Sequence, residues 1–390
     1  MANYPLEGYR VVDFSWVWAG PLLGMILADM GAEVIKVETN KRLDSARLTP
    51  GRSTVGPETD FVFHSMNRNK LGVTVDMSDP RGAALIRELI AISDIAVENF
   101  SPKVLRNLGL EYQSLRKVNP RLVMISLPAA GQHGPLSDIV TYAPSLGALC
   151  GYSSLIGYPG ERVLGEQTPY LDVNSAIHGA FVVLAALHYR EETGKGQYID
   201  MAQIDVGASI IGEAFMEYSM NGRVMGTMGN RNPAMAPHNS YPCKGDDKWV
   251  SIAVKTEEEW ASFCDAIGSP AWTDDERFSD MPGRLKNQEE LDRLVSGWTI
   301  EYTYYEVMDI LQKAGVAAAP CLDLTERFSD PHFEERRTHL QIAHPATGVD
   351  IIAGIPFRLS ETPCDVRRPA PLLGEHNNYV FGELLSKSEE

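Results

Sequence analysis

G-Y-R-V-V-D-F (Gly8–Phe14), A-G-P-L-L-G-M-I-L-A-D-M-G-A (Ala19–Ala32) and A-E-V-I-K-V-E (Ala32–Glu38) come in close succession, with only Ser15–Trp18 between the first two. The first and third are short Val- and Ile-containing runs that read as strands, and the middle one has the apolar spacing of a helix. Pro21 near the start of that helix and Gly31 at its end are the usual punctuation of such an element. A strand, a short helix and a second strand make a βαβ unit, and βαβ units build a parallel sheet.

The alternation continues along the chain. L-G-V-T-V-D-M (71–77) reads as a strand, S-D-P-R-G-A-A-L-I-R-E-L-I-A-I-S-D (78–94) as a helix with an N-cap and an early Pro, and I-A-V-E-N-F (95–100) as the next strand. P-K-V-L-R-N-L-G-L (102–110) is a helix and R-L-V-M-I-S-L (121–127) a further strand. The first half is therefore a Rossmann-like α/β domain. An apolar run from Val173 to about Glu191 reads as a buried helix, with His178 and His188 as packed core residues, and 204–220 reads as one more long helix. The Gly-, Asn-, Met- and Pro-rich stretch 221–237 is a loop that opens a second domain of mixed strand and helix. We expect a large Rossmann-like domain over 1–200, a linker helix over 201–224, a small domain over 225–325 and a C-terminal segment over 326–390.

A net charge of −17 argues against nucleic acid, which is bound by neutralising phosphates with basic residues. A compact anion remains open, because Lys36, Lys41, Arg42, Arg47, Arg52, Arg68, Lys70, Lys103 and Arg106 gather in the first third. The five cysteines are scattered without C-x-x-C or Cys/His ligand spacing, so neither disulfides nor a metal site is expected. No apolar run is read as membrane-spanning, no secretory signal is evident, and a cytoplasmic protein without membrane contact is expected. The turn after the first strand, S-W-V-W-A-G-P-L-L-G, lacks G-x-G-x-x-G, and no G-x-x-x-x-G-K-[ST] occurs, so neither a nicotinamide dinucleotide nor P-loop ATP is supported.

Between Glu166 and Arg190 the only Asp, Glu, Lys or Arg is Asp172, just ahead of the apolar run. Asp is a favoured N-cap, and first-turn N–H groups with the helix dipole also hold a carboxylate ionised, as a nucleophile requires. The local sequence does not separate cap from catalyst.

L-E-G-Y-R-V-V-D-F-S-W-V-W-A-G-P, A-D-M-G-A-E-V-I-K-V-E, N-R-N-K with V-T-V-D-M, V-E-N-F, G-Q-H-G-P, R-E-E-T-G-K-G-Q and A-P-L-L-G-E-H, in that order, resemble class III CoA-transferases. That group includes formyl-CoA transferase, the carnitine and bile-acid CoA-transferases and α-methylacyl-CoA racemase. The resemblance implies a Rossmann-like large domain built from both chain ends, a smaller α+β domain from the middle, and an interlocked homodimer. It implies acyl-CoA and a small carboxylic acid as substrates, with coenzyme A as substrate rather than a tightly bound cofactor. Asp172 matches the family's nucleophile. CoA contacts carry over to Val17, Trp18, Ala19, Asn69, Lys70, Asn99, Phe100 and, one residue off the usual basic position, Arg106. Lys70 would neutralise a phosphate and Phe100 would lie against adenine.

Departures narrow the resemblance. Trp18 stands where formyl-CoA transferase has Gln, G-T-M-G-N-R-N-P replaces a run of four glycines, and Ala143 replaces an active-site Glu. A formyl-CoA and oxalate pair is therefore not expected, and the Met-bearing loop points to a larger or less polar acid. For the racemase alternative, the position of the second base is Tyr142 rather than His, so Tyr142 is carried as a binding residue. A non-catalytic CoA-binding subunit and an intramolecular CoA-transfer isomerase are the other readings.

Overall fold

The structure is a computed structural model that describes residues 4–48, 56–166 and 168–388. The chain divides into two compact units, one of residues 1–153, 165–224 and 331–390, the other of 154–164 and 225–330. Residues 154–164, assigned above to the large domain, cluster with the smaller unit.

The larger unit is built on six strands, β1 (Arg10–Asp13), β2 (Glu33–Glu38), β3 (Lys70–Thr74), β4 (Ile95–Glu98), β5 (Val123–Ser126) and β6 (Tyr198–Asp200). All pairings are parallel and the order is β3-β2-β1-β4-β5-β6, so the chain starts at the centre, runs outward one way and then the other. That reversal opens a crevice beyond the carboxyl ends of β1 and β4, the usual ligand position in such sheets.

Strand alternation assigns the two faces. Val12, Ile35, Ala96 and Met124 belong to one core with the helices α3 (Pro80–Ala91) and α5 (Tyr112–Val118). Their neighbours Val11, Val34, Ile95 and Val123 belong to the other, with α1 (Ala19–Asp29) and α7 (Tyr170–Thr193). Both faces are covered, which is why the strands read as apolar runs rather than as an alternation. The helices α2 (Phe61–Asn67), α4 (Lys103–Asn107) and α6 (Ala143–Leu149) complete this part of the unit.

The long helix α7 departs from its expected form in three ways. It begins at Tyr170 with Pro169 as N-cap, so Asp172 lies inside the first turn rather than capping it. At 24 residues it is long and apolar enough by composition to cross a membrane, contrary to the sequence reading, but it is a core helix: Gly179 admits Leu23 of α1 so closely that a Cβ there would lie 3.0 Å from it. It is also not buried all round. His178 and His188 are exposed rather than packed, and Phe181 is 72% exposed with Ile177 beside it.

The expected long helix over 204–220 is two, α8 (Gln203–Ser209) and α9 (Gly212–Asn221), because Ile211 leaves helical dihedrals and buries its side chain. Residues 331–390 carry a hairpin, His339–His344 with Gly348–Ala353, and then the A-P-L-L-G-E-H segment. That segment lies along the free edge of β3, where the His376 N–H donates to the Gly72 carbonyl at 2.9 Å and the Thr74 N–H to Asn377 Oδ1 at 2.9 Å. Covering an edge strand in this way removes an open template for pairing. The smaller unit has its own antiparallel sheet, His238–Pro242, Trp249–Ala253 and Ala317–Pro320, and a separate core around Tyr241, Val250, Phe263, Leu291 and Leu311.

Beneath α1 sits a buried ion pair. Lys70 Nζ lies 2.7 Å from Asp13 Oδ2 and also donates to the Pro21 carbonyl and Asn67 Oδ1, and both charged side chains have no exposure. Gly24 makes room for the pair, since a Cβ there would lie 2.7 Å from Asp13 Oδ2. Burial lowers the Lys70 pKa to about 8, against the pull of Asp13. Lys70→Ala strands the Asp13 carboxylate and is expected to cost about 3–5 kcal/mol in urea unfolding, while Asp13→Asn/Lys70→Met loses much less. Equal losses in the two variants would contradict the pairing.

Candidate active site

A cleft of about 630 Å³ opens in the larger unit beyond β1 and β4. Two turns supply one wall. After β1 the chain passes through Trp16, Val17 and Trp18 into α1, and after β4 through Asn99 and Phe100. The Asn99 amide stitches them together: Oδ1 accepts from the Trp16 N–H at 2.8 Å and Nδ2 donates to the Trp16 carbonyl at 2.8 Å.

Val17 has φ +69°, a left-handed conformation that a β-branched residue resists. Its N–H donates to both oxygens of Asp44, at 3.1 and 3.3 Å, and Lys36, wholly buried, donates to Asp44 at 3.3 Å and to the Ser15 carbonyl. Gly20 is required in the following turn, because a Cβ there would come within 2.2 Å of Ser15 Cβ.

These clamps fix the N-terminus of α1. Its N-cap, Trp18, makes no side-chain cap hydrogen bond to the first-turn N–H groups, and the Ala19 N–H lies near enough to the Asp172 carboxyl to pull its pKa down. Asp172 is half-buried in the first turn of α7. Burial pushes its pKa up to about 6, the Ala19 N–H and its own N–H pull down, and the neighbouring charge of Glu166 pushes up. The result is a carboxylate that is ionised near neutral pH yet poorly solvated, with peptide N–H groups beside it.

Val17, Trp18, Asn99, Phe100, Tyr142 and Asp172 therefore line one cleft, and Ala19 reaches it through its backbone. Phe100 stands edge-on to Trp16 with centroids 5.7 Å apart, and Tyr142 is 70% exposed at the rim. Arg106 lies elsewhere, on the wall of a second cleft of about 340 Å³ that shares Ser101 and Pro102 with the first. That second cleft also contains His133 and Glu98, whose pKa burial raises to about 7.

Asn69 and Lys70, expected at the CoA site, line neither of these two clefts, and their side chains are engaged in the interior. The Asn69 amide is spent on Asp29 Oδ1 at 2.7 Å and the Asp365 carbonyl at 2.9 Å. Lys70 projects under α1 to Asp13 with no exposure, so its ammonium is not available to a phosphate.

Two charged lining residues went unassigned in the sequence. Arg42, read only as part of a basic cluster, lines the Asp172 cleft with its guanidinium 5.3 Å from the Trp16 ring centroid. Glu166, read only as a boundary of the apolar stretch, lines it too, with both carboxyl oxygens buried and without a hydrogen-bond partner. Neither lies on a periodic element, so no spacing marked them. Among the described residues one His–His–Asp group has ligand atoms within 4.8 Å, namely His64, His344 and Asp350. Scattered in sequence, it shows none of the ligand spacing on which the expectation of no metal rested. His64 Nδ1 is 2.7 Å from Asp350 and its Nε2 3.0 Å from the Glu58 carbonyl, contacts that tie the hairpin of residues 339–353 to α2.

Comparison with known proteins matches the same framework. The family model CoA-transferase family III covers residues 6–377. Succinate–glutarate CoA-transferase of Agrobacterium fabrum is 32% identical over 386 residues, covering 97% of this chain and 96% of that one. Succinyl-CoA–D-citramalate CoA-transferase of Chloroflexus aurantiacus is 33% identical over 386 residues, covering 99% and 95%. A crystal structure of a CAIB/BAIF family protein from Brucella suis superposes with a TM-score of 0.89 at 30% identity, covering 98% of this chain and 100% of that one. With nearly its whole length matched and its cleft formed where the parallel sheet reverses direction, this chain belongs to CoA-transferase family III.

Proposed function

We propose that the protein moves CoA from an acyl-CoA donor to a carboxylic acid acceptor through Asp172. The observation that carries this reading is the half-buried Asp172 carboxylate, beside a free helix N-terminus in a cleft of about 630 Å³. Its oxygen attacks the thioester carbon, giving a mixed anhydride and CoA thiolate. The thiolate then attacks the aspartyl carbonyl, releasing the donor's acid and leaving an aspartyl-CoA thioester. The acceptor carboxylate repeats the two steps in reverse, so no proton is gained or lost and no ATP is needed. We take the N–H groups of Trp18, Ala19 and Gly20, beside Asp172, as the donors to the oxyanions that develop. Val17, Trp18, Asn99, Phe100 and Tyr142 would hold the CoA thioester, and Arg106 in the adjoining cleft would meet its charged end.

The relatives named above carry succinate, glutarate and D-citramalate in their names, which supports succinyl-CoA as donor and a small dicarboxylic acid as acceptor. The exposed apolar residues Ile177 and Phe181 on α7 and Phe215, Met216 and Met220 on α9 support an intertwined homodimer. The five unpaired cysteines support a reducing, cytoplasmic setting.

Incubation with succinyl-CoA and then hydroxylamine or borohydride is expected to change the mass of the peptide bearing Asp172. Asp172→Ala is expected to lose at least about a thousandfold in transfer rate, and full transfer by that variant with an unmodified wild-type peptide would remove the claim. Since the attacking form is the anion, transfer should rise as pH increases through about 6; a profile flat from pH 5 to 7 would contradict this. A raised acid pKa also means that stability present at low pH is lost as pH climbs through that same value. Asp172→Asn is therefore expected to be more stable than wild type by about 1–2 kcal/mol at pH 8, with the gain vanishing towards pH 4, in urea titrations.

A further inference from the structure

We propose that the Arg42 guanidinium is the anion-binding contact of the Asp172 cleft and takes an oxyanion of the substrate, either a phosphate of CoA or the second carboxylate of a dicarboxylic acyl group. The inference rests on this cleft being the site of CoA transfer. Among the described residues that line it, Arg42 is the one Lys or Arg, set against Glu166 and Asp172. An acyl-CoA and an acid acceptor are both anions, so a cleft with two carboxyl groups and no cation would repel them.

Arg42 is exposed, and no carboxylate of the described residues pairs with it. Its neighbours in the same basic cluster are otherwise engaged: Lys41 pairs with Asp76, Lys36 with Asp44, Arg47 with Glu38 and Lys70 with Asp13. In a chain with 52 acidic and 35 basic residues, an arginine left without an acid in a cleft is available to an anion from outside.

Its position is also held. The guanidinium centre lies 5.3 Å from the Trp16 ring centroid, and the Trp16 N–H and carbonyl are both fastened by the Asn99 amide. Two residues on, Asp44 accepts the Val17 N–H, which ties the bend after β2 to the turn leading into α1. Leu43 and Ser45 of that bend line the cleft as well. A planar guanidinium offers two parallel N–H donors to a carboxylate or a phosphate, a fit that an ammonium group lacks.

The test compares full-length wild type with Arg42→Met, which keeps an apolar stem beside Trp16 and removes the charge. Lys41→Met makes the same change of net charge at the Asp76 pair. Binding of free CoA is measured by calorimetry, and KM values are measured for succinyl-CoA and glutarate. Arg42→Met is expected to raise the succinyl-CoA KM about 10- to 100-fold, with Lys41→Met close to wild type. A matching loss of CoA affinity with the glutarate KM unmoved assigns the anion as a phosphate. A matching rise in the glutarate KM with CoA affinity unmoved assigns it as the second carboxylate. Arg42→Met with all three values as in the wild type overturns the proposal, and so does a Lys41→Met variant that loses as much. Normal transfer with no effect of Arg42→Met would fail this inference alone. A wild type whose CoA binding depends on Arg42 but which transfers nothing between acids would fail the functional reading while leaving the anion contact in place.

Discussion

The peptide N–H of Ala19 reaches Asp172 because the turn before it is held in a shape that Val17 would not adopt alone. Left-handed dihedrals at a β-branched residue cost of order 1–3 kcal/mol, and the cost is offset by what grips the turn. Asp44 accepts the Val17 N–H, Lys36 holds Asp44 and the Ser15 carbonyl, and the Asn99 amide fastens Trp16 to the end of β4. Without these, the first turn of α1 would have no fixed bearing on the carboxylate. The left-handed residue thus lies in the wall of the Asp172 cleft, and backbone strain is commonly found at such sites.

The same region explains why so much charge is buried in the first third of the chain. Lys36, Lys70, Asp13 and Asp44 have no exposure, and Arg47 is likewise enclosed between Glu38 and Glu58. An apolar replacement of such pairs is often neutral or stabilising. Here the pairs also fasten segments that carry no regular hydrogen-bond ladder, namely the turn after β1 and the 44–47 turn. Of the positive charges that looked like an anion-binding cluster in the sequence, Lys36, Arg47, Arg68 and Lys70 are used up inside the protein, Lys41 and Lys103 pair with Asp76 and Asp138 at the surface, and Arg52 lies outside the described residues. Arg42 and Arg106 remain at the clefts.

The fold was legible because its signals are local. Short apolar runs on covered strands, helical spacing in Ala19–Asp29 and Pro80–Ala91, and the Pro and Gly at the helix ends all follow from short-range chemistry. Family likeness placed Asp172, and the structure sets Val17, Trp18, Asn99, Phe100 and Tyr142 around it. The failures have a common cause in tertiary context. N-R-N-K looks like an exposed polar loop, but Asn69 and Lys70 turn inward to Asp29 and Asp13. The outer face of α7 is as apolar as its inner face, so composition could not show that Phe181 faces out of the chain. Glu166 sits in an irregular segment, and nothing short of coordinates shows that its oxygens lack partners.

The sealing of β3 by residues 372–377 has a consequence for how the molecule is made. Gly72 is paired with His376, so one border of the sheet waits for some three hundred residues of later synthesis before its backbone is satisfied. Contacts of such long sequence separation are slow to form and leave strand edges open in the meantime. A nascent chain with β1 to β6 already emerged therefore keeps the β3 edge open until residues 372–377 are made.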